Sequence, residues 1–352
     1  MKENSKKIIG IILPFLLTLV FLYLAFYKVD LLSSFALIAG VKIFWLVIFI
    51  LIFFLSHFIR ALRWKYILSS VKSDIKIKHL FGAVMVGYGL NAVVPRAGEI
   101  FRSFFLGRWE RISRTSIFGT VVLERAIDIL ALSFSVLISV LIYSGDLYSE
   151  ISWLKYSLNL VFALNGLLII LIILLVVYKE SFGRIIVKAT GKFSTRISKK
   201  LEYLFDTLTK GFASLRGFRN YVFTFLLTVI IMVVYAFNSW VAFRMLGMET
   251  IQEVNFGMAW ILMTISAFGI IIPTPGGAGS YHWITIMVLT TLFSFNQEIS
   301  SAFAILTHTI SYVIFIISAL FFIHIINKKR VEEGKAKLNF LNVIKSLDSE
   351  EL

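Results

Sequence analysis

Cysteine is absent from this chain, which excludes disulfides, a thiol nucleophile and any thiolate metal centre. Proline is almost absent: there are four in 352 residues, and three of them, Pro95, Pro273 and Pro275, fall in two short segments. Acidic residues are scarce, 20 Asp and Glu against 35 Lys and Arg, for a formal net charge of +15. Such a balance can signal nucleic acid. Here, however, the Lys and Arg residues fall between apolar runs rather than across one soluble face, so positive-inside topology accounts for them. No nucleic-acid partner is expected. His57, His282 and His308 make no His-x-x-x-His or Glu-x-x-His run, so no metal site is expected. No Gly-x-x-x-x-Gly-Lys-Ser/Thr occurs, so no nucleotide or other cofactor is implied.

What the chain has in abundance is apolar length. Hydrophobic residues make up 59% of it and the mean hydropathy is +0.88, with several runs near the ~20 residues needed to cross a bilayer. Lys2, Lys6 and Lys7 precede the run Ile8 to Phe26, which lacks a small-residue cleavage site and reads as an uncleaved first span. Further spans are expected at Ile43 to Leu62, Ser116 to Tyr143, Tyr156 to Tyr178, Tyr221 to Leu246 and Ser300 to Ile326. Two apolar stretches remain, Leu80 to Leu106 and Phe256 to Phe295. Each is divided by a proline/glycine interruption, Asn91 to Arg102 in the first and Pro273 to Gly279 in the second. In a bilayer such a break leaves backbone groups unpaired, at several kcal/mol or so each, unless it is buried in protein or lines water. Paired breaks in corresponding halves point to a transport site.

Charge sets the orientation, because Lys and Arg concentrate in short cytoplasmic loops. Arg63, Lys65, Lys72, Lys76 and Lys78 precede the first interrupted stretch and Arg108, Arg111 and Arg114 follow it, so both its ends face the cytoplasm. Asp146 and Glu150 fit the outside. The connection from Lys179 to Arg219 returns ten Lys or Arg to the inside. Glu249, Glu253 and Glu298 place both ends of the second interrupted stretch outside. The fold expected is an all-α polytopic membrane protein in an inverted-topology repeat. It has about six spanning helices plus two re-entrant helical hairpins, or eight full spans. The pseudo-repeats cover about 1–145 and 155–326, with a basic amphipathic loop at 179–220 lying on the inner leaflet and a cytoplasmic tail at 327–352. Both termini face the cytoplasm, and the membrane is the cytoplasmic (inner) one.

The charged residues inside apolar stretches are the candidates for function. Arg96, Glu99, Arg102, Glu124, Arg125 and Asp128 would cost on the order of 15 to 20 kcal/mol if all faced lipid at mid-depth, so they lie at the interface or face one another. Glu124 and Asp128 share a helix face and repel unless cations come from elsewhere, and Arg96 or Arg102 would supply them. Arg96, Glu99 and Arg102 advance by threes after Pro95, which could start a helix whose N-terminus favours an anion. Together they suit a phosphate, or else a salt-bridge cluster that fixes the hairpin. Arg60, Arg63 and Trp64 end the second span, where snorkelling arginines and an interfacial tryptophan are expected, with a ligand role as the alternative. In the second break, Pro273 and Pro275 cannot continue a helix, and Gly276, Gly277 and Gly279 leave the backbone bare. Its amides could hold an anion, and glycines also serve as close-packing devices. Asn91 and Tyr281 could touch a headgroup. Of the histidines, His282 is nearest the second break.

Several of these pieces resemble the family of lysylphosphatidylglycerol synthase transmembrane regions, also called flippase-like domain proteins. They are Arg60-Ala-Leu-Arg63-Trp64, Gly89-Leu-Asn91 with Pro95-Arg96-Ala-Gly98-Glu99 and Arg102, Glu124-Arg125-Ala-Ile-Asp128, and Pro273-Thr-Pro275-Gly276-Gly277-Ala-Gly279. The resemblance covers the chain up to about Ile326. In two-domain members, it implies, this membrane part moves an aminoacylated phosphatidylglycerol between leaflets while a soluble carboxy-terminal domain transfers the amino acid. Twenty-six residues follow Ile326 here, too few for such a domain. The expectation is therefore a translocase for a polar, anionic or aminoacylated phospholipid, with membrane lipids as its partners. Its substrate-binding residues would be Arg60, Arg63, Asn91, Pro95, Arg96, Gly98, Glu99, Arg102, Glu124, Arg125, Asp128, Pro273, Pro275, Gly276, Gly277 and Gly279. The alternatives are a lipid-modifying transferase using the carboxylates as general bases and a membrane partner of a separately encoded transferase. A homo-oligomer is left open.

Overall fold

The computed structural model describes residues 2–95, 97–145, 147–154, 156, 159–160, 162–163, 166–167, 170, 215, 217–332 and 334. Among these there is no strand. The chain is an all-α polytopic membrane protein, built from helices α1 (Lys2–Phe26), α2 (Leu31–Ala39), α3 (Ile43–Leu68), α4 (Ile77–Val93), α5 (Ala97–Glu110), α6 (Arg114–Ile142), the single turn α7 (Leu147–Glu150), α8 (Phe218–Met245), α9 (Phe256–Ile271), α10 (Ser280–Thr291) and α11 (Gln297–Glu332). Among the described residues α3, α6, α8 and α11 are long and apolar enough to cross a membrane, and α1 with α2 makes a fifth where the bent pair is one broken span. Most of the span expected at Tyr156 to Tyr178 and almost all of the basic loop at 179–220 lie outside the described residues, as does nearly all of the tail beyond Glu332.

Two boundaries differ from the sequence reading for clear reasons. Leu31–Ala39 forms a helix of its own, turned by 84° from α1, because the Asp30 carboxylate accepts the backbone N–H groups of Leu32 and Ser33 and starts a new helix there. Helix α3 continues past Leu62 to Leu68, so Arg60, Arg63 and Trp64 sit within it rather than at its exit.

Both interrupted stretches form helix-break-helix hairpins. Val94, which precedes Pro95, is extended at φ −124° and ψ 112°, the conformation a following proline imposes, and α5 starts two residues after that proline. Helices α4 and α5 are 17 and 14 residues long, and α9 and α10 are 16 and 12. At 1.5 Å per residue they reach roughly 18 to 25 Å, short of the ~30 Å hydrocarbon core.

Small residues let these arms close. A Cβ on Gly98 would collide with the Gly87 carbonyl, and one on Gly269 would come within 2.7 Å of the Tyr281 Cα, so each hairpin is zipped at a glycine. In lipid, where no hydrophobic effect drives helix association, such close approach is what binds helices. Antiparallel α3 and α8 form the most extensive contact in the bundle. It is tied at one end by Lys42 N–H donating to the Met245 carbonyl (3.0 Å) and at the other by Asn220 Nδ2 donating to Ser69 Oγ (2.8 Å).

Among the described residues several further contacts come in matched sets: α4 on α11 with α9 on α6, α5 on α6 with α10 on α11, α3 on α4 with α8 on α9, and α3 on α6 with α8 on α11, while α1 on α10, α2 on α11 and α8 on α6 have no counterpart. Each hairpin therefore leans on the last spanning helix of the other half. For example, Tyr88 of α4 stacks on Phe315 of α11 at 4.8 Å, and Trp260 Nε1 of α9 donates to the Ser135 carbonyl of α6.

Candidate functional site

Three helices deliver charge to one place, and a fourth, α8, adds neutral hydroxyls. On α3, Arg60, Arg63 and Trp64 recur at helical spacing and share a face; on α6, Glu124 and Asp128 are one turn apart, with Arg125 beside them; α5 adds Arg102. Arg60 Nη1 donates to Glu124 Oε1 (2.8 Å) and Asp128 Oδ2 (2.7 Å). Arg63 Nη2 donates to Asp128 Oδ1 (2.6 Å) and Glu124 Oε1 (3.3 Å), and its Nη1 to Thr228 Oγ1 of α8 (3.1 Å). Arg102 Nη2 holds the other oxygen of Glu124, Oε2, at 2.5 Å. Arg125, reaching back along its own helix, stands 3.4 Å from both acids. Tyr235 of α8 receives Arg60 at its hydroxyl (3.1 Å).

Aromatic rings frame the cluster. The Arg102 guanidinium lies 4.5 Å over Trp64, whose indole N–H donates to Thr120 Oγ1 at 3.0 Å, a geometry worth more once desolvated. Arg60 lies 5.8 Å from the Tyr88 ring. By helical rise, Arg60 is about 12 Å up α3 from Leu68, and Glu124 about 15 Å along α6 from Arg114. The group is therefore inside the bundle, not at its rim.

Arg60 and Arg63 are thus not snorkelling: they are 4% and 0% exposed, and Trp64 is fully buried. A lone desolvated guanidinium would cost several kcal/mol or so, and the paired carboxylates make its burial tolerable. The repulsion expected between Glu124 and Asp128 is relieved by Arg102, as the spacing suggested, and equally by Arg60 and Arg63, which it did not. Arg96 lies outside the described residues. Glu99 faces Asn91 instead of the cluster: Asn91 Nδ2 is 3.4 Å from each of its carboxylate oxygens, while Asn91 Oδ1 accepts the Gly98 N–H at 2.7 Å. Thr228, Tyr235, Tyr88 and Thr120 carried no signal as single polar residues on apolar helices. Only the seven-residue spacing of Thr228 and Tyr235 could have placed them on one face.

The second break is built without charge. Gly277 N–H donates to the Thr274 carbonyl, Ala278 N–H to the Pro275 carbonyl and Gly279 N–H to His282 Nδ1, so these amides are bonded within the chain. Pro275 is buried and Pro273 exposed. Gly276, at φ +58°, has Ala92 and Tyr312 against it, and Gly279, at φ +82°, lies on the α1 backbone at Thr18 and Leu22. Ser280 Oγ ties the break to α9 through the Gly269 carbonyl (2.6 Å). His282 and His308, far apart in sequence, meet at a tilt of 57° with ring centroids 4.6 Å apart, and Tyr281 meets Thr307 hydroxyl to hydroxyl. Among the described residues no three His, Asp or Glu side chains converge as metal ligands.

Buried arginines and acids on α3, α5 and α6, in a bundle that also carries a glycine break against the end of α4, are the feature to compare with known proteins. The family model described as "lysylphosphatidylglycerol synthase TM region" matches residues 11–319. The chain belongs to this family. The match runs from α1 into α11 and takes in every charged residue of the cluster. The chain is also similar to UPF0104 membrane proteins of two organisms. One from Methanocaldococcus jannaschii is 26% identical over 296 residues, 79% of this chain and 83% of the relative. One from Methanothermobacter thermautotrophicus is 24% identical over 264 residues, 72% and 76%. A second from M. jannaschii is 27% identical over 256 residues, 70% and 97%. No solved structure matches the chain.

Proposed function

We infer that this protein is a lipid translocase of the cytoplasmic membrane, in which a polar headgroup passes between the two hairpins while its acyl tails stay in the bilayer. The observation that carries this reading is the charged cluster inside an otherwise apolar bundle, adjoining the hairpin whose break meets the break of the other half. Intramembrane ionisable groups facing a bundle interior are functional candidates by default, and interrupted helices at a repeat interface are where transporters bind.

The matched helix contacts support an inverted repeat, with α3, α4, α5 and α6 in one half answering α8, α9, α10 and α11 in the other. Such a relation allows two rocking states of similar energy around one site. In this reading Arg60, Arg63, Arg96, Arg102 and Arg125 face the headgroup phosphate, and Glu124 and Asp128 hold the guanidiniums in place. Asn91, Pro95, Gly98 and Glu99 shape the first turn, and Pro273, Pro275, Gly276, Gly277 and Gly279 close the far side. In this reading both termini face the cytoplasm, which the distribution of Lys and Arg among the loops supports.

Reconstitution tests it. Purified protein in liposomes should speed the appearance of labelled phospholipid in the opposite leaflet, and Arg63→Gln should abolish that movement while the protein still inserts. Absence of movement by the intact protein with every polar lipid tried would overturn the reading.

A further inference from the structure

We propose that the arginine cluster takes a phosphate ester that is net anionic and selects against headgroups whose phosphate is offset by amines. The inference rests on the translocase reading and names the substrate class of that site. Among the described residues, four guanidiniums (Arg60, Arg63, Arg102 and Arg125) meet two carboxylates (Glu124 and Asp128). Counting Glu99 as well leaves one cation in excess. In an apolar interior such an excess attracts an anion strongly, because little solvent screens it.

Hydrogen-bonding capacity points the same way. Every carboxylate oxygen in the cluster is already taken. Glu124 Oε1 accepts from Arg60, Arg63 and Arg125, and its Oε2 from Arg102; Asp128 Oδ1 accepts from Arg63, while its Oδ2 accepts from Arg60 and faces Arg125. The neutral acceptors nearby, Tyr235 and Thr228, are engaged by Arg60 and Arg63, and Glu99 accepts from Asn91 through both oxygens.

What is spare is donors. Nε of Arg63, Arg102 and Arg125 are buried without a hydrogen-bond partner. Phosphate oxygens only accept, and guanidinium nitrogens suit them. An ammonium only donates, and every carboxylate oxygen here already accepts from an arginine, so it gains less at this site than a phosphate does. The exposed edge of the cluster is Arg125 with Asp128 beside it: side-chain exposure rises from 0% at Arg63 and 4% at Arg102 to 16% at Asp128 and 33% at Arg125, so Arg125 is the cation best placed to meet an incoming headgroup.

A lysyl ester of phosphatidylglycerol carries two ammonium groups for one phosphate and is net cationic; an alanyl ester is net neutral. Phosphatidylglycerol and phosphatidic acid are net anionic. The full-length protein, purified in a phosphatidylcholine-containing detergent, is titrated with each of these lipids and with inorganic phosphate, and its thermal midpoint is followed. The same lipids, labelled, are assayed for movement in proteoliposomes.

The expected result is a saturable rise in midpoint with the anionic lipids and none with the lysyl ester. Arg125→Gln should weaken half-saturation about tenfold or more, as loss of a charge-assisted bond does, and Arg125→Lys should recover most of it. Equal stabilisation by the lysyl ester, or none by any anionic compound, overturns the proposal. If the lysyl ester binds and moves as well, the translocase reading survives while the selectivity fails. If anionic lipid binds through Arg125 and nothing moves, the anion site stands and the translocase reading falls. If inorganic phosphate alone saturates the shift, the anion site again stands and its ligand is soluble.

Discussion

A Cβ built on Gly276 would come 3.2 Å from the Cα of Ala92, so the break in the second half of the chain meets the end of α4 at the break in the first. Helix α11 ties them together. Tyr312 O–H donates to the Ala92 carbonyl, and one turn earlier His308 Nε2 lies 3.0 Å from the Gly276 carbonyl oxygen. Carbonyls freed by two interrupted helices are thus bonded to one spanning helix, and this is how the breaks are tolerated away from water.

Tyr312→Phe removes the bond to Ala92 and keeps the ring. The expected cost is about 1–2 kcal/mol, because a carbonyl away from solvent is left unpaired, seen as a lower thermal midpoint in detergent. No change in midpoint would mean the tie between α11 and the first break carries no load.

Glu124 is the centre of the charged cluster, and Glu124→Ala should destabilise by about 3–5 kcal/mol, since it strands buried guanidiniums without their counter-ion. Arg63→Gln alone should cost less, because three cations remain around the acid. The double variant Arg63→Gln with Glu124→Gln should be more stable than the sum of the single losses predicts, with a coupling of about 1–3 kcal/mol. Strict additivity in a thermal or denaturant cycle would show that the two residues do not interact.

The natural absence of cysteine makes cross-linking free of background. Ser69→Cys with Asn220→Cys puts thiols at positions whose side chains bond at 2.8 Å across α3 and α8, close enough to test for a bridge. Oxidation of the double variant should shift its gel mobility, and neither single variant should shift. Failure of the pair to cross-link would contradict the antiparallel register of these helices.

Acid should loosen the end of α5. Glu110 accepts from Lys72 Nζ (2.7 Å), His79 Nδ1 (2.6 Å) and the Lys76 N–H. Burial pushes its carboxyl upward, but the bonds from Lys72, His79 and Lys76 outweigh it and hold the group below the ordinary carboxylate range. A depressed folded value means that the stabilisation is present above the unfolded value and is lost as pH falls through the folded one. Burial also lowers His79, against the pull of Glu110, so charging it on acidification opposes folding in the same direction. The bond to Glu110 raises Lys72, against a smaller desolvation, so its contribution fades only as pH rises through its folded value. The thermal midpoint should fall on acidification from neutral pH, and Glu110→Gln should flatten that slope; an unchanged slope in the variant would refute the assignment.

Much of the architecture was legible in the chain because membrane segments announce themselves. A run such as Phe218–Met245 has to be helical, since lipid offers its backbone no partner, and its ends matched expectation to within a few residues. Asp30 as an N-cap was a readable signal that went unused, so α2 was missed. The site was only half legible. Glu124, Asp128 and Arg102 stood out because each is costly in an apolar run. Arg60 and Arg63 looked like ordinary interfacial arginines, because nothing local to α3 showed that the helix continues to Leu68 and turns that face inward.

The sequence by itself determined that this is a helical membrane protein, where its helices must break, and which charges could not face lipid. These follow from transfer cost and backbone satisfaction, which act residue by residue. Only the tertiary structure decided that four arginines share two acids, that Gly276 rests on Ala92, and that the amides of the second break bond within the chain. Those facts depend on which helix faces come together, and a guanidinium on α3 finds its carboxylate on α6 only when the packing of glycines and aromatic rings brings the two helices into register.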